Sequence, residues 1–330
     1  MAATLSPDRI LRELTELWVS LGRDGQAEAG AGVLRACTMT LVVLAEESED
    51  VSALGETLAA LMPEHPARTI LIRLRGAGEP ILTDRVYAQC WMPFGQRRQI
   101  CCEQIEITAS DSALGDMASV LLPLGAPDLP LILWGRSARR PEIPECRPIA
   151  AMARKTVLDS AAFPDPRPAL RRMAEAVRQG ALRGDLAWTR LTRWREMLAQ
   201  VFENRQALAH LAEVTWVRVT FGPPNEVLAW YMGAWVVNAL SDAGVHPSLA
   251  VAPQPGVVLR VELAGEGFRV ELVRESDRLV VTVNDLANCT NLSHPTDYLL
   301  MREELGIVRR DPVFERTLAS AATLAYPTDK

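Results

Sequence analysis

The sequence predicts an α/β (α+β) protein of two domains, each a mixed or antiparallel sheet packed with helices. Three observations carry that expectation. Helical and strand patterns alternate through the first half of the chain, as a sheet layered with helices requires. A proline-rich segment, PDPRP from Pro164 to Pro168, then interrupts the pattern. Near the end, three runs alternate apolar and polar residues, the signature of an antiparallel meander with one buried face. At 330 residues the chain exceeds one typical domain, and the PDPRP segment divides it at 1–163 and 164–330.

The first helix starts with Ser6 as cap and Pro7 in its first turn, and sets Ile10, Leu11, Leu14, Leu17, Trp18 and Leu21 on one face. A Gly- and Ala-rich loop (23–32) follows, then a buried strand within 33–46 and a helix aligning Val51, Leu54, Leu58 and Leu61. Pro66 stops that helix from continuing, and Thr69 to Leu74 is the next strand. Strands at 81–92 and 100–108 lead to a helix from about Ser112 to Leu122 and a short apolar strand, Leu131 to Trp134. Residues 136–152, with four arginines and three prolines, read as a surface connection before a strand at Lys155–Asp159. Beyond the boundary come a helix marked by Leu170, Met173 and Val177, and a helical stretch from Leu186 to about Leu211 broken near Asn204. A strand at 213–221 and a helix from Asn225 to about Leu240 precede the meander of 257–263, 268–272 and 279–283. Two helices, 296–305 and 311–324, close the chain.

Composition excludes several function classes. A hydrophobic fraction of 48% and a charged fraction of 23% are those of a soluble globular protein. A net charge of −6 argues against nucleic acid as the main partner, since phosphate binding draws on clustered cations. The apolar runs are too short to span a membrane, and the N-terminus does not read as a signal peptide. Six cysteines without a CxxC or metal-ligand rhythm suit a reducing cytoplasm better than a disulfide scaffold.

The candidate chemistry is sparse. There is no GxxxxGK[ST] phosphate loop. Gly30-Ala31-Gly32 lacks the third glycine of a dinucleotide fingerprint, where Arg35 stands, and it precedes a strand instead of following one. The four histidines, His65, His210, His246 and His294, have no ligand partners at metal spacing. Neither a metal nor a cofactor is expected, and no catalytic residue is assigned. Cys101 and Cys102 point to opposite sides of a strand and fit the packing of small apolar side chains. Glu103 shares its strand side with Cys101, Ile105 and Ile107, so its carboxylate must be paired or must meet a ligand. Its pairing candidates are Arg68 and Arg85. His65 and Arg68 at a strand start suit either an anion pocket or strand-end capping. Asp159 and Ser160, at the end of a strand in an α/β layer, suit either a ligand site or a helix cap. A cleft around His65, Arg68, Glu103 and Asp159 would make the chain a sugar-phosphate sensor or enzyme. In the run from Trp188 to Arg195, Leu191 and Trp194 share the apolar stripe. Arg190 and Arg193 are then left exposed and able to meet an acidic partner.

Several stretches resemble one family. These are His65-Pro66-Ala67-Arg68 before a strand, CCEQIEI from Cys101 to Ile107, and LLPLGAPDLPLILWGR from Leu121 to Arg136. VLDSAAF from Val157 to Phe163 and DLAWTRLTRWREMLAQVFE from Asp185 to Glu203 follow in the same order. Together they are similar to the glucose-6-phosphate dehydrogenase assembly proteins, also called OpcA, of cyanobacteria and actinobacteria. The resemblance implies a non-catalytic cytoplasmic protein that binds glucose-6-phosphate dehydrogenase as an allosteric activator or assembly factor. It would thereby support the oxidative pentose phosphate pathway and NADPH supply. By analogy with cyanobacterial relatives it also implies thioredoxin as a further partner, with no cysteine assigned to that role.

Overall fold

The structure, a computed structural model, describes residues 5–27, 33–79, 81–91, 99–139 and 143–326. The chain packs as two units that interleave in sequence. The first takes Met1–Leu158, Leu182–Gly184 and Asp297–Gly306. The second takes Asp159–Ala181, Asp185–Thr296 and Ile307–Lys330.

The first unit is built on an eight-stranded sheet among the described residues. Its strands are β1 (Val33–Arg35), β2 (Met39–Glu46), β3 (Ala67–Leu74), β4 (Leu82–Trp91), β5 (Gln99–Ala109), β6 (Leu131–Gly135), β7 (Lys155–Leu158) and β8 (Leu182–Asp185). The spatial order runs β4-β5-β3-β2-β6-β7-β8, with β1 beside the start of β5. Strands β5, β3, β2, β6 and β7 are parallel, and β4 is antiparallel. This is the strand order of a doubly wound fold, reversing between β2 and β6. Helices α1 (Pro7–Ala27), α3 (Met117–Leu124) and α4 (Cys146–Met152) cover one face. There Ile10, Leu14, Met117, Leu121, Cys146 and Ile149 pack on Val42, Leu44, Ile70, Ile72, Ile105 and Ile107. The alternate residues Leu41, Val43 and Leu71 are buried too, so the central strands read as near-continuous apolar runs. Helices α2 (Val51–Leu61) and α10 (Asp297–Gly306) pack together.

The second unit holds a six-stranded sheet in the order β10-β9-β11-β12-β13-β14. Its strands are β9 (Val214–Phe221), β10 (Ser248–Pro253), β11 (Leu259–Gly265), β12 (Phe268–Glu275), β13 (Arg278–Val283) and β14 (Leu286–Asn291). Only β9 and β10 pair in parallel; the rest form the expected meander. Helix α9 (Glu226–Asp242) lies on β9, β10 and β11. Around it pack α5 (Pro166–Arg178), α6 (Leu186–Thr189) and α11 (Pro312–Leu324), while α7 (Thr192–Glu203) meets β13 and α8 (Arg205–Ala209) follows it. Trp188, Tyr231 and Phe314 stack with ring centroids 5.8 to 6.2 Å apart at the centre of this layer.

Three sequence expectations are corrected. Residues 136–152 are not only a surface connection: α4 forms there, and Cys146 and Ile149 enter the core. Pro148 is tolerated because it sits in the first turn, where backbone N–H groups have no helical partner. The helix placed at Ser112–Leu122 splits into a 3-10 turn, Asp111–Ala113, and α3. The stretch from Leu186 to Leu211 breaks at residues 190–191 as well as at Asn204, which caps α8. No helix among the described residues is long and apolar enough to cross a membrane.

One glycine in β8 is required by close approach. A Cβ on Gly184 would overlap the Glu304 carboxylate and stand 3.1 Å from Lys155 Cε. Lys155 Nζ and Glu304 Oε2 form a buried ion pair at 2.8 Å, and Nζ also donates to the Glu304 carbonyl at 2.6 Å. Gly184→Ala is therefore expected to lower stability by about 2–4 kcal/mol, because displacing one buried charge from its partner is costly. Urea denaturation checks this, and an unchanged midpoint would remove the argument.

Candidate functional site

The parallel order β3-β2-β6 places a crevice at the carboxyl ends of β2 and β6, where doubly wound sheets bind dinucleotides. The residues there do not fit such a cofactor. The loop after β2 is Glu47-Ser48-Glu49-Asp50, which has no glycine and with Glu46 at the strand end carries four carboxylates. The first N–H groups of α2, from Ser52 and Ala53, donate to the Asp50 side chain and leave no cradle for a pyrophosphate. Basic side chains from the β6 end pair with Glu46 and Glu49. Arg139 donates to Glu46 (2.7 Å) and Asp111 (3.0 Å), and Ser137 Oγ donates to Glu46. Arg136 bridges Glu49 (2.7 Å) and Asp297 (2.5 Å), its guanidinium 4.7 Å from the Trp134 ring centroid. An ion-pair network of partly exposed side chains occupies this end of the sheet. The Gly30-Ala31-Gly32 segment lies outside the described residues.

Glu103 and Arg68 do come together. Parallel pairing of β3 with β5 sets Thr69 opposite Gln104, which brings Arg68 beside Glu103. Arg68 Nε donates to Glu103 Oε2 at 2.5 Å, and its Nη1 donates to the Leu124 carbonyl at 2.7 Å. Glu103 Oε1 accepts from Trp18 Nε1 at 2.6 Å and pairs with Arg35 Nη2 at 2.7 Å. The Glu103 and Arg68 side chains are only 3% and 6% exposed. Arg85, the other pairing candidate, faces Glu106 across β4 and β5 and stacks near Tyr87. The Arg68 fork is thus committed to protein acceptors. His65 has its Nε2 3.1 Å from the Arg302 carbonyl, outside this pair.

Asp159 and Ser160 belong to the second unit. Asp159 accepts both arms of the Arg190 fork, at 2.7 and 2.6 Å, and caps the 3-10 turn Ser160–Ala162 through the N–H of Ala161. Ser160 is buried, and its N–H donates to Asp185 at 2.9 Å. The sequence reading did not single out Asp185, although its place before Leu186-Ala187-Trp188 is an N-cap signal. Its carboxylate also accepts from the Ala187 N–H (3.0 Å) and the Tyr231 hydroxyl (2.7 Å). Burial, reinforced by the nearby Asp159 carboxylate, pushes its pKa up to about 6 against the pull of the Ser160 and Tyr231 hydrogen bonds. Arg190 is therefore engaged within the fold, correcting the expectation that it is free for a partner. Arg193, exposed, pairs with Glu196 at 3.1 Å. Trp194 is buried, as the apolar stripe required, and Trp188 is buried as well.

The cysteine expectation also changes. Cys101 is disulfide-bonded to Cys90, its cross-strand neighbour on β4. Cys102 is a buried thiol that burial pushes up to about 11, far from the thiolate a nucleophile needs. The constellation expected around His65, Arg68, Glu103 and Asp159 thus divides into an internal ion-pair centre in one unit and a capped, hydrogen-bonded cluster in the other.

Similarity to known proteins supplies the remaining evidence. The family model described as the glucose-6-phosphate dehydrogenase subunit N-terminal domain matches residues 58–175, and the corresponding C-terminal domain model matches residues 182–318. The OxPP cycle protein OpcA of Synechocystis is 26% identical over 209 residues, 62% of this chain and 42% of that protein. Its namesake in Nostoc punctiforme is 28% identical over 141 residues, 43% of this chain and 30% of that protein. The matched stretches thus span less than half of these relatives. Among solved structures, the 3-ketoreductase KijD10 of Actinomadura kijaniata has a TM-score of 0.46 at 11% identity, covering 87% of this chain and 95% of that one. Biliverdin reductase of Synechocystis gives 0.42 at 10%, covering 85% and 96%. With both domain models matched in order over most of its length, the chain belongs to the OpcA family of glucose-6-phosphate dehydrogenase subunit proteins.

Proposed function

We propose that this protein is a non-catalytic partner of glucose-6-phosphate dehydrogenase that favours the enzyme's active conformation or assembly. The observation that carries this reading is the ordered match of both family domains across residues 58–318. The carboxyl edge of the parallel sheet supports it, because Arg136 and Arg139 there pair with the chain's own carboxylates. The mechanism is linkage: a partner that binds the active form more tightly shifts the population toward it. A tenfold activation requires about 1.4 kcal/mol of differential binding. A link to thioredoxin belongs to the same proposal, and the Cys90–Cys101 disulfide is a bond such a reductant could open.

Titrating the chain into the cognate dehydrogenase at several glucose-6-phosphate concentrations tests the reading. The expected result is a lower Michaelis constant or a larger oligomer on light scattering, with no turnover by the chain alone. Unchanged kinetics together with separate elution would refute it.

A further inference from the structure

We infer that the solvent face of α5 is a docking surface for a carboxylate-rich patch on a partner protein. The inference rests on the partner role proposed above. Helix α5 buries Ala169, Leu170, Met173, Ala174 and Val177, and packs against α11. Its outer side carries Arg167, Arg171, Arg172 and Arg178, all exposed, with Glu175 the helix's one carboxylate. Glu175 is already engaged by Arg178 and by Gln179 Nε2 at 2.7 Å. The guanidiniums of Arg167, Arg171 and Arg172 make no ion pair or hydrogen bond among the described residues. Two of them are held by rings. Arg167 lies 5.7 Å from the Trp230 ring centroid, and Arg171 lies 5.1 Å from that of Tyr326. Arg171, Arg172 and Arg178 line one shallow depression with Glu175, Ala176 and Gln179, three cations against one carboxylate.

This arrangement gains little within the isolated chain. Arg167 and Arg171 stand one turn apart, where like charges repel. The chain has 41 acidic against 35 basic residues, and it neutralises Arg136, Arg139 and Arg190 with carboxylates, yet none of the described carboxylates pairs with these three. A guanidinium drawn toward a ring is restrained before it meets a partner, so less ordering entropy is lost on binding. A planar fork matches a carboxylate two bonds at a time, and arginine and tyrosine, here Arg171 beside the exposed Tyr326, are frequent interface anchors. A protein patch fits this surface better than a nucleic acid. Polyanion affinity grows with the number of phosphates met, and the few arginines of this one helix face, on a chain of net charge −6, meet few.

The test measures binding of the 330-residue chain to the cognate dehydrogenase at low and at physiological ionic strength. Arg167→Glu/Arg171→Glu/Arg172→Glu is expected to bind on the order of 100-fold more weakly, since reversed charges face like charges across the contact. The milder Arg171→Gln/Arg172→Gln should lose about tenfold and flatten the salt dependence of the association rate. Circular dichroism checks that each variant folds, and the milder pair decides if the triple variant does not. If the wild-type chain binds and the folded variants bind equally well, the docking surface is refuted while the partner role stands. If the wild-type chain does not bind the dehydrogenase, both fall. If the variants keep the dehydrogenase but lose binding to duplex DNA or anionic vesicles, the face belongs to a polyanion and the proposal is overturned.

Discussion

Replacing Asp185 with alanine is expected to cost about 3–5 kcal/mol of unfolding free energy. The substitution orphans three buried donors, the N–H groups of Ser160 and Ala187 and the Tyr231 hydroxyl. Asp185→Asn should behave differently. Its oxygen can keep both N–H bonds, and its amide can donate to the phenol oxygen. The difference lies in pH. The Asp185 pKa is raised by burial from 3.8 to about 6, so the folded state holds its proton more tightly than the unfolded chain. The resulting stabilisation is complete below pH 3.8 and is lost as pH rises through about 6. The shift corresponds to about 3 kcal/mol, the cost of carrying a buried carboxylate at neutral pH. Chemical denaturation across this range should show the asparagine variant gaining on wild type as pH rises, and matching or exceeding it at neutrality. Parallel pH profiles would sink the argument.

Much of the fold was legible because its strongest elements bury regular stripes. The runs at Leu41–Leu44 and Ile70–Leu74 lie in central strands, and the alternation of Val261 and Leu263 with Val270 and Leu272 sets the meander. The three strands not anticipated fail for a shared physical reason. β8 (LRGD) and β14 (LANCTN) carry little apolar surface, and β10 (SLAVAP) is a mostly exposed edge beside β9. Such strands are placed largely by backbone pairing with a neighbour already present, and even in β10 only Leu249 and Val251 alternate, too short a run to read.

The candidate residues were legible one by one, and their partners were not. Burial of Glu103 followed from its place among apolar neighbours, but the choice between Arg68 and Arg85 needed the sheet register. Arg85 is opposite Glu106, three residues along β5 from Glu103 and therefore on the other face. Trp18 and Arg35 reach Glu103 from far earlier in the chain, and no local pattern encodes that approach. Asp185 carried a readable cap signal, whereas its burial came only from the packing of α9, which delivers Tyr231.

The Arg68–Glu103 pair carries the second large effect. Glu103→Ala is expected to destabilise the chain by about 3–5 kcal/mol, because it leaves the buried Arg68 charge without its carboxylate. Arg68→Met should cost a similar amount, since Glu103 would keep only Arg35 and Trp18 while the Leu124 carbonyl loses its donor. The double variant Arg68→Met/Glu103→Leu removes both charges and returns apolar volume to the sheet. Its cost should fall well short of the sum of the single changes, with a coupling of about 2 kcal/mol or more. That non-additivity separates a structural pair from a ligand site. If Arg68 and Glu103 each served a bound sugar phosphate, each single change would abolish ligand-induced thermal stabilisation while costing the apo chain little. A denaturation cycle on the apo protein, run beside melting curves with and without glucose 6-phosphate, reads both quantities. Additive single costs, or a melting shift that disappears in either single variant, would return Glu103 to the role of a ligand-binding carboxylate.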